Sequence, residues 1–304
     1  MFKTIAASAL GAVSALAQPP AVQQELRVLP VQGNVYLLTG PGANVTLQIG
    51  KDGVLLVDTM TEALSPRIAA EVKKHTVLPI RYIIDTSMDA DHIGGNAALG
   101  AMGAVGASPK DGGGATIIAH ENVLNRLTKP VTGNATPAPQ RGLPNDEYFT
   151  PTHDFFFNGE AVVVFHQEKA HTDGDSLVFF RRSDVLSTGD LFTPDRYPVI
   201  DLDSGGSVQG FLAALNFILH LTVPERLQDG GTRVIPGHGR ICNEADVVEY
   251  RDMVTIVRDR IQDLVKKNRT LAQVKAARPT LDYDAEYGPP DRFIESVYRS
   301  LGGR

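Results

Sequence analysis

Short runs of aliphatic and β-branched residues, each closed by turn formers, dominate residues 26–58. Val35-Tyr36-Leu37-Leu38 gives way to Gly40-Pro41-Gly42, Val45-Thr46-Leu47-Gln48-Ile49 to Lys51-Asp52-Gly53, and Val54-Leu55-Leu56-Val57 to Asp58. This punctuation predicts a strand meander with glycine-containing hairpin turns. The pattern lengthens to helical spacing over 61–75, then shortens to a buried strand at 80–84 that stops at Asp85-Thr86. The second half repeats the order, with strands at 155–157, 161–165, 176–180 and 185–187, a helix at 207–221 and a strand at 232–235. Meanders followed by helices, twice over, predict an α+β fold with two sheets packed face to face and helices outside. Beyond them Tyr250, Met253, Val257, Ile261 and Leu264 recur at steps of three and four, the stripe of a helix that joins the core. Residues 22–304 therefore read as a single domain with a C-terminal helical extension from about 244. The Gly/Ala-rich run 99–115 and the Pro/Thr/Gly-rich run 129–146 read as long surface loops bordering a site.

Charge narrows the range of partners. The 304-residue chain has 29 Lys+Arg against 35 Asp+Glu, a net of −6 with no long basic run. Nucleic acid and anionic membrane surfaces lose support, and a small soluble substrate is expected; nothing in the sequence fixes the oligomeric state. Cys242 is the sole cysteine, which excludes an intramolecular disulfide and any multi-cysteine zinc or iron–sulfur site, and its thiol is expected to be buried. At the N-terminus, Met1-Phe2-Lys3, an apolar run over 4–16 and Ala15-Leu16-Ala17 before Gln18-Pro19-Pro20 read as a signal peptide, residues 1–17. Secretion or periplasmic delivery follows as an expectation. The apolar run is shorter than the roughly 20 residues of a spanning helix, so no stable membrane insertion is expected once the signal is removed.

Four polar clusters each follow a predicted strand. They are Ser87-Met88-Asp89-Ala90-Asp91-His92, His171-Thr172-Asp173-Gly174-Asp175, Ser187-Thr188-Gly189-Asp190 and Pro236-Gly237-His238-Gly239. In an extended loop Asp89 and Asp91 would project on one side, with His92 adding an imidazole to form a divalent-cation cluster; helix capping by Asp91 beside an incidental histidine is the plainer alternative. Arg196, soon after Asp190, would line the pocket and orient an anionic substrate, or be a solvated loop charge. His120 is expected at a helix start, with replacement of a lost ligand as its other reading, and His75, His153, His166 and His220 are assigned to structure.

The ordered succession Asp91-His92, His171, Asp190, His238, with the strand end Leu55-Leu56-Val57-Asp58-Thr59 and the turn Gly94-Gly95-Asn96, resembles the metallo-β-lactamase fold superfamily from about Val35 to the His238 turn. The resemblance implies a four-layer αβ/βα sandwich of two mixed sheets, with a metal site along one edge between them. It also implies that Asp91, His92 and His238 hold one ion, that His171 belongs to the other, and that Asp190 takes the bridging carboxylate position of glyoxalase II-like members. The family's His-x-His-x-Asp-His is here Ser87-x-Asp89-x-Asp91-His92, so both leading histidines are missing. Asp89 can still ligate, as a carboxylate does in flavo-diiron relatives, whereas Ser87 is a poor ligand. One zinc ion is therefore expected, with weak occupation of the depleted position and iron or manganese as alternatives favoured by the carboxylates. The implied activity is a secreted hydrolase using a metal-bound hydroxide on an ester, thioester, lactone or lactam, with Asp91 and Asp190 serving the chemistry. An iron-dependent oxidative enzyme and a non-catalytic binding protein are the alternatives.

Overall fold

The computed structural model describes residues 25–103, 114–129 and 139–303. Seven strands form the first sheet in sequence order: β1 (Arg27–Gln32), β2 (Val35–Thr39), β3 (Val45–Gly50), β4 (Gly53–Val57), β5 (Ile80–Ile84), β6 (Thr116–His120) and β7 (Asp146–Tyr148). Pairing is antiparallel from β1 to β4 and parallel from β4 to β7. Five more strands form the second sheet: β8 (Thr152–Phe157), β9 (Glu160–Gln167), β10 (Asp175–Phe180), β11 (Val185–Ser187) and β12 (Arg233–Ile235), in the order β12-β11-β10-β9-β8. It too is mixed, since β11 and β12 run parallel and the remaining pairs antiparallel.

Alternating side chains bind four layers. In β4, Leu55 and Val57 face the second sheet and meet Val162, Val178 and Phe180, while Val54 and Leu56 face the helices α1 (Ser65–His75) and α3 (Asn96–Ala101) through Ile68, Val72 and Leu99. A strand covered on both faces has no polar side to show, which is why β4 reads as a continuous apolar run. Leu177 and Phe179 of β10 turn the other way, into a core with α5 (Val208–Leu221), α6 (Glu244–Lys266), α7 (Leu271–Ala276) and α9 (Asp291–Ser300). Within α6 the predicted stripe is buried at Tyr250, Met253, Val257 and Ile261, and Leu264 is partly buried against the same core. Between α7 and α9 lies the single turn α8 (Asp284–Tyr287).

Several expectations shift. The helix expected over 61–75 begins at Ser65, with Pro66 in its first turn and a tighter 3₁₀ turn over Glu62–Leu64. The run 99–115 starts inside α3, with Leu99, Gly100 and Ala115 buried, because its small residues permit close packing: Gly103 lies so near the Ala115 backbone that a Cβ would not fit. In 129–146 a helical turn at Gln140–Gly142 and the start of β7 shorten the expected loop. Residues 104–113 and 130–138 of these two runs, and the signal peptide assigned to 1–17, lie outside the described residues. Edge strand β1 escapes the hydrophobic pattern because it is largely exposed and contains Pro30, where its register slips. No helix among the described residues is long and apolar enough to cross a membrane.

Candidate metal centre

The ends of β5, β11 and β12 and the turn between β9 and β10 deliver the four polar clusters to one edge between the sheets. After β5 the chain enters a short helix, α2 (Ala90–Ile93), whose N-cap is Asp89, with Asp91 and His92 in its single turn. Asp89 and Asp91 therefore do not project together from an extended loop as expected. Each helical residue turns the chain by about 100°, and the two carboxylates serve different groups. Asp91, His92 and His238 bring their ligand atoms within 4.8 Å of one another, and so do Asp89, His171 and Asp190. Asp190 stands between the groups: its Oδ1 lies 3.3 Å from His92 Nε2 and 3.6 Å from His238 Nε2. Asp91 Oδ2 is 3.3 Å from His238 Nε2, and Asp89 Oδ2 is 2.6 Å from His171 Nε2. Ser87 is buried and its Oγ accepts from the Asp89 backbone N–H at 3.2 Å, so it is occupied within its own loop.

Each imidazole is oriented from behind. His92 Nδ1 is 2.7 Å from Asp58 Oδ2, His171 Nδ1 is 2.9 Å from the Val199 carbonyl, and His238 Nδ1 is 3.1 Å from the Gly42 carbonyl. An oxygen acceptor at Nδ1 places a proton there and turns Nε2 towards the carboxylates of its group, as the atom that would ligate. Asp58 is itself held with a positive φ of 64° at the end of β4, and accepts from Thr86 N at 2.9 Å and Thr86 Oγ1 at 2.7 Å. The His238 turn is tied to the first sheet by Asn44, whose Nδ2 donates to the Pro236 and Gly239 carbonyls at 2.9 and 3.0 Å and whose backbone N–H donates to Gly237 at 2.7 Å. Only glycine fits at 237, since a Cβ there would strike Asp190 and Gly189.

The donor set fits a divalent cation. His92 Nε2 and Asp190 Oδ1 are buried, close, and make no hydrogen bond to each other or to any other group, a costly arrangement for polar atoms without a shared positive partner. The electrostatics agree. Burial opposes an imidazolium at His171, yet Asp89 in hydrogen-bond contact, with Asp175 and Asp190 nearby, pushes its pKa up to about 10. Burial likewise opposes charge on His92, but Asp190 and Asp58 hold it well above the usual histidine range. Burial would raise Asp190, and His92, His171 and His238 instead keep it below the carboxylate range; the His238 contact chiefly lowers Asp91. Positive charge is stabilised here strongly enough to override burial, as a bound dication requires.

A cavity of about 540 Å³ opens beside His238, with Leu29, Leu37 and Ile241 as apolar wall and Asn44 and Arg196 among its polar residues. Arg196 is half-exposed and its Nε donates to Asp195 at 3.0 Å, while the buried Tyr250 hydroxyl fixes its carbonyl at 3.1 Å. His120 stands outside both ligand groups and is the N-cap of α4 (Glu121–Leu127), accepting from the Asn122 N–H. It stacks on His166 at 3.5 Å and packs edge-on to Tyr148, which stacks on His153. His75 ends α1, His220 lies on α5, and Cys242 is buried, with its thiol pushed up to about 12 by that burial. The sequence reading did not single out Asn44, Thr86 or the orienting carbonyls of Gly42 and Val199; backbone acceptors and cross-sheet contacts leave no residue-type signal.

Comparison with known proteins places this geometry in a family. Residues 29–238 match the metallo-beta-lactamase superfamily. No curated protein gave a match. Among solved structures, the stereoselective inverting sec-alkylsulfatase Pisa1 from Pseudomonas sp. is 19% identical over 91% of this chain, with a TM-score of 0.69. The chain spans only 50% of that enzyme's length. A metallo-beta-lactamase from Pontibacter korlensis is 15% identical over 76% of this chain and 99% of its own, with a TM-score of 0.57. The DIM-1 metallo-beta-lactamase is 17% identical over 76% of this chain and 97% of its own, with a TM-score of 0.56. Two mixed sheets between helices, ligand groups at one sheet edge and a family match across most of the chain lead to one assignment: the protein belongs to the metallo-β-lactamase superfamily.

Proposed function

We propose that the protein is a metal-dependent hydrolase acting on an ester, thioester, lactone or lactam of a small molecule. The observation that carries this reading is the convergence of three anchored imidazoles, Asp91 and Asp190, with His238 also lining the adjacent cavity. Asp91, His92 and His238 would hold the principal ion, with zinc as the first expectation; a bound ion supplies an activated water and polarises the scissile group. The chain's own residues do the rest. Asp91, with its side chain 42% exposed, stands at the solvent edge of the group, where a carboxylate can orient the attacking water and take its proton. Asp190, more deeply set, holds the two ligand groups in register. Arg196 offers a cation to an acidic substituent, and Leu29, Leu37 and Ile241 offer apolar surface to the rest of the substrate.

The likeness to an alkylsulfatase adds sulfate esters to the substrates worth testing. The carboxylate-rich group of Asp89, His171 and Asp190 supports a second reading, an iron-dependent oxidative enzyme on the same fold. Export through the segment 1–17 belongs to the same proposal, and a mature mass starting at Gln18 tests it. The deciding experiment is a panel of chromogenic carboxylic esters, thioesters, lactones, β-lactams and alkyl sulfates assayed with protein loaded with zinc, manganese or iron(II). Turnover of at least one class that disappears with a chelator and returns with metal supports the hydrolase. Oxygen consumption with iron and no hydrolysis favours the second reading.

A further inference from the structure

The turn that carries His171 is knotted at Asp173. Arg126 of α4 donates from Nε and Nη2 to the two Asp173 carboxylate oxygens at 2.7 and 2.6 Å. The Asp173 carbonyl accepts from Asn122 Nδ2 at 2.8 Å and lies 2.9 Å from His166 Nε2, and its backbone N–H donates to the Ser204 carbonyl at 3.0 Å. Gly174 sits directly on α4, where a Cβ would come within 2.9 Å of Val123 Cγ2. On the opposite side Asp201 N donates to the His171 carbonyl at 2.9 Å, and His171 Nδ1 meets Val199. The turn is thus gripped between α4 and the segment 199–206.

We infer that Arg126 is a positioning residue for the Asp89–His171–Asp190 group, setting through Asp173 where His171 Nε2 meets Asp89. That group has a single imidazole, its Asp89 side chain is 34% exposed, and Ser87 is turned to its own loop. With no second histidine to compensate, occupancy depends on where the His171 turn is held. A guanidinium suits this role because its planar fork fixes both carboxylate oxygens at once, which a lysine ammonium does not. The pair is bidentate and largely shielded, so its loss costs some global stability as well; its distinguishing effect falls on the turn.

This inference rests on the reading that the Asp89 group takes a cation. Metal-stripped full-length protein is titrated with manganese(II) and, separately, cobalt(II) by calorimetry, alongside thermal melts of the metal-free form. The wild type is expected to show two binding phases. Arg126→Met should weaken the weaker phase by about 10–100-fold, the usual consequence of losing a partner just outside the ligand shell, with the tighter phase unchanged and at most a small fall in the melting temperature of the metal-free form. Arg126→Lys and Asp173→Asn should act in the same direction. The double variant Arg126→Met/Asp173→Asn should be no worse than the poorer single, since both remove one interaction. If Arg126→Met does not fold, Arg126→Lys and Asp173→Asn make the same comparison. Unchanged phases, or equal losses in both, overturn the positioning role. A wild type that binds a single equivalent overturns the cation reading of the Asp89 group and the inference with it, and does so before any substitution is made.

Discussion

The two candidate ligand groups meet at Asp190, a member of one that lies close to His92 and His238 of the other, yet they are built to different specifications. Asp91, His92 and His238 combine two imidazoles with one carboxylate, and His92 is fully buried and backed by the Asp58 carboxylate, which two Thr86 bonds hold in place. Asp89, His171 and Asp190 combine one imidazole with two carboxylates, and the imidazole is backed by a carbonyl on a loop. A borderline-soft ion such as zinc prefers the first donor set, and harder manganese or iron(II) loses less in the second. In the proposed reading, Ser87 and Asp89 standing where the family motif has histidines turn the second group towards a harder ion.

Deleting the shared strength of the imidazole-rich group should have the largest effect. His238→Ala is expected to abolish metal retention at that group and to lower turnover by more than the roughly 100-fold that loss of an outer partner costs; His171→Ala should hurt less. Metal content after dialysis and initial rates on one responsive substrate decide this, and equal losses would show that the two groups act as one unit. Asp58→Asn should come next. It removes the negative partner of His92 Nδ1 and should weaken the imidazole-rich group by about 10–100-fold, with the other group nearly unaffected, as read by two-phase calorimetry. Asp89→His should then move selectivity at the carboxylate-rich group from manganese towards zinc, measured by competition between the two ions, and an unchanged preference would contradict the donor-set argument.

The smallest effect is a pH dependence beneath the His171 turn. Burial first, and then the stacked His166, pushes His120 down from the ordinary 6.5 to about 4. A depressed folded-state value means that the fold favours the neutral ring, so this contribution is complete above about pH 6.5 and is lost as the pH falls towards 4. His120→Asn keeps a side-chain acceptor for the α4 N-cap but has no proton to gain. Its melting temperature should therefore fall less steeply than the wild type's between pH 7 and 4.5, and parallel curves would remove His120 from the account.

Strands buried on both faces were the most legible part of the fold: Val54 to Val57 and Leu177 to Phe180 are continuous apolar runs because helices and a second sheet cover them. Edge strand β1, with Pro30 and an exposed face, and the three-residue β7 left little pattern to read. All six candidate ligands fall into the two groups, since each ends a strand or follows one and strand ends converge. The local pattern alone put Asp89 and Asp91 on one side of a loop; only the family resemblance separated them, and a single turn of helix after β5 is what directs them to different groups. The clamps at Asn44 and Arg126 were not legible, since their partners lie 192 and 47 residues away.

The proposed function requires a catalytic ion among Asp91, His92 and His238. Anomalous diffraction at the metal edge, from crystals of protein purified without added metal, tests it most directly. The expected result is a strong peak within bonding distance of His92 Nε2, His238 Nε2 and an Asp91 oxygen, with a weaker peak at Asp89, His171 and Asp190. No peak at the first position, or a peak at the second alone, would contradict the account.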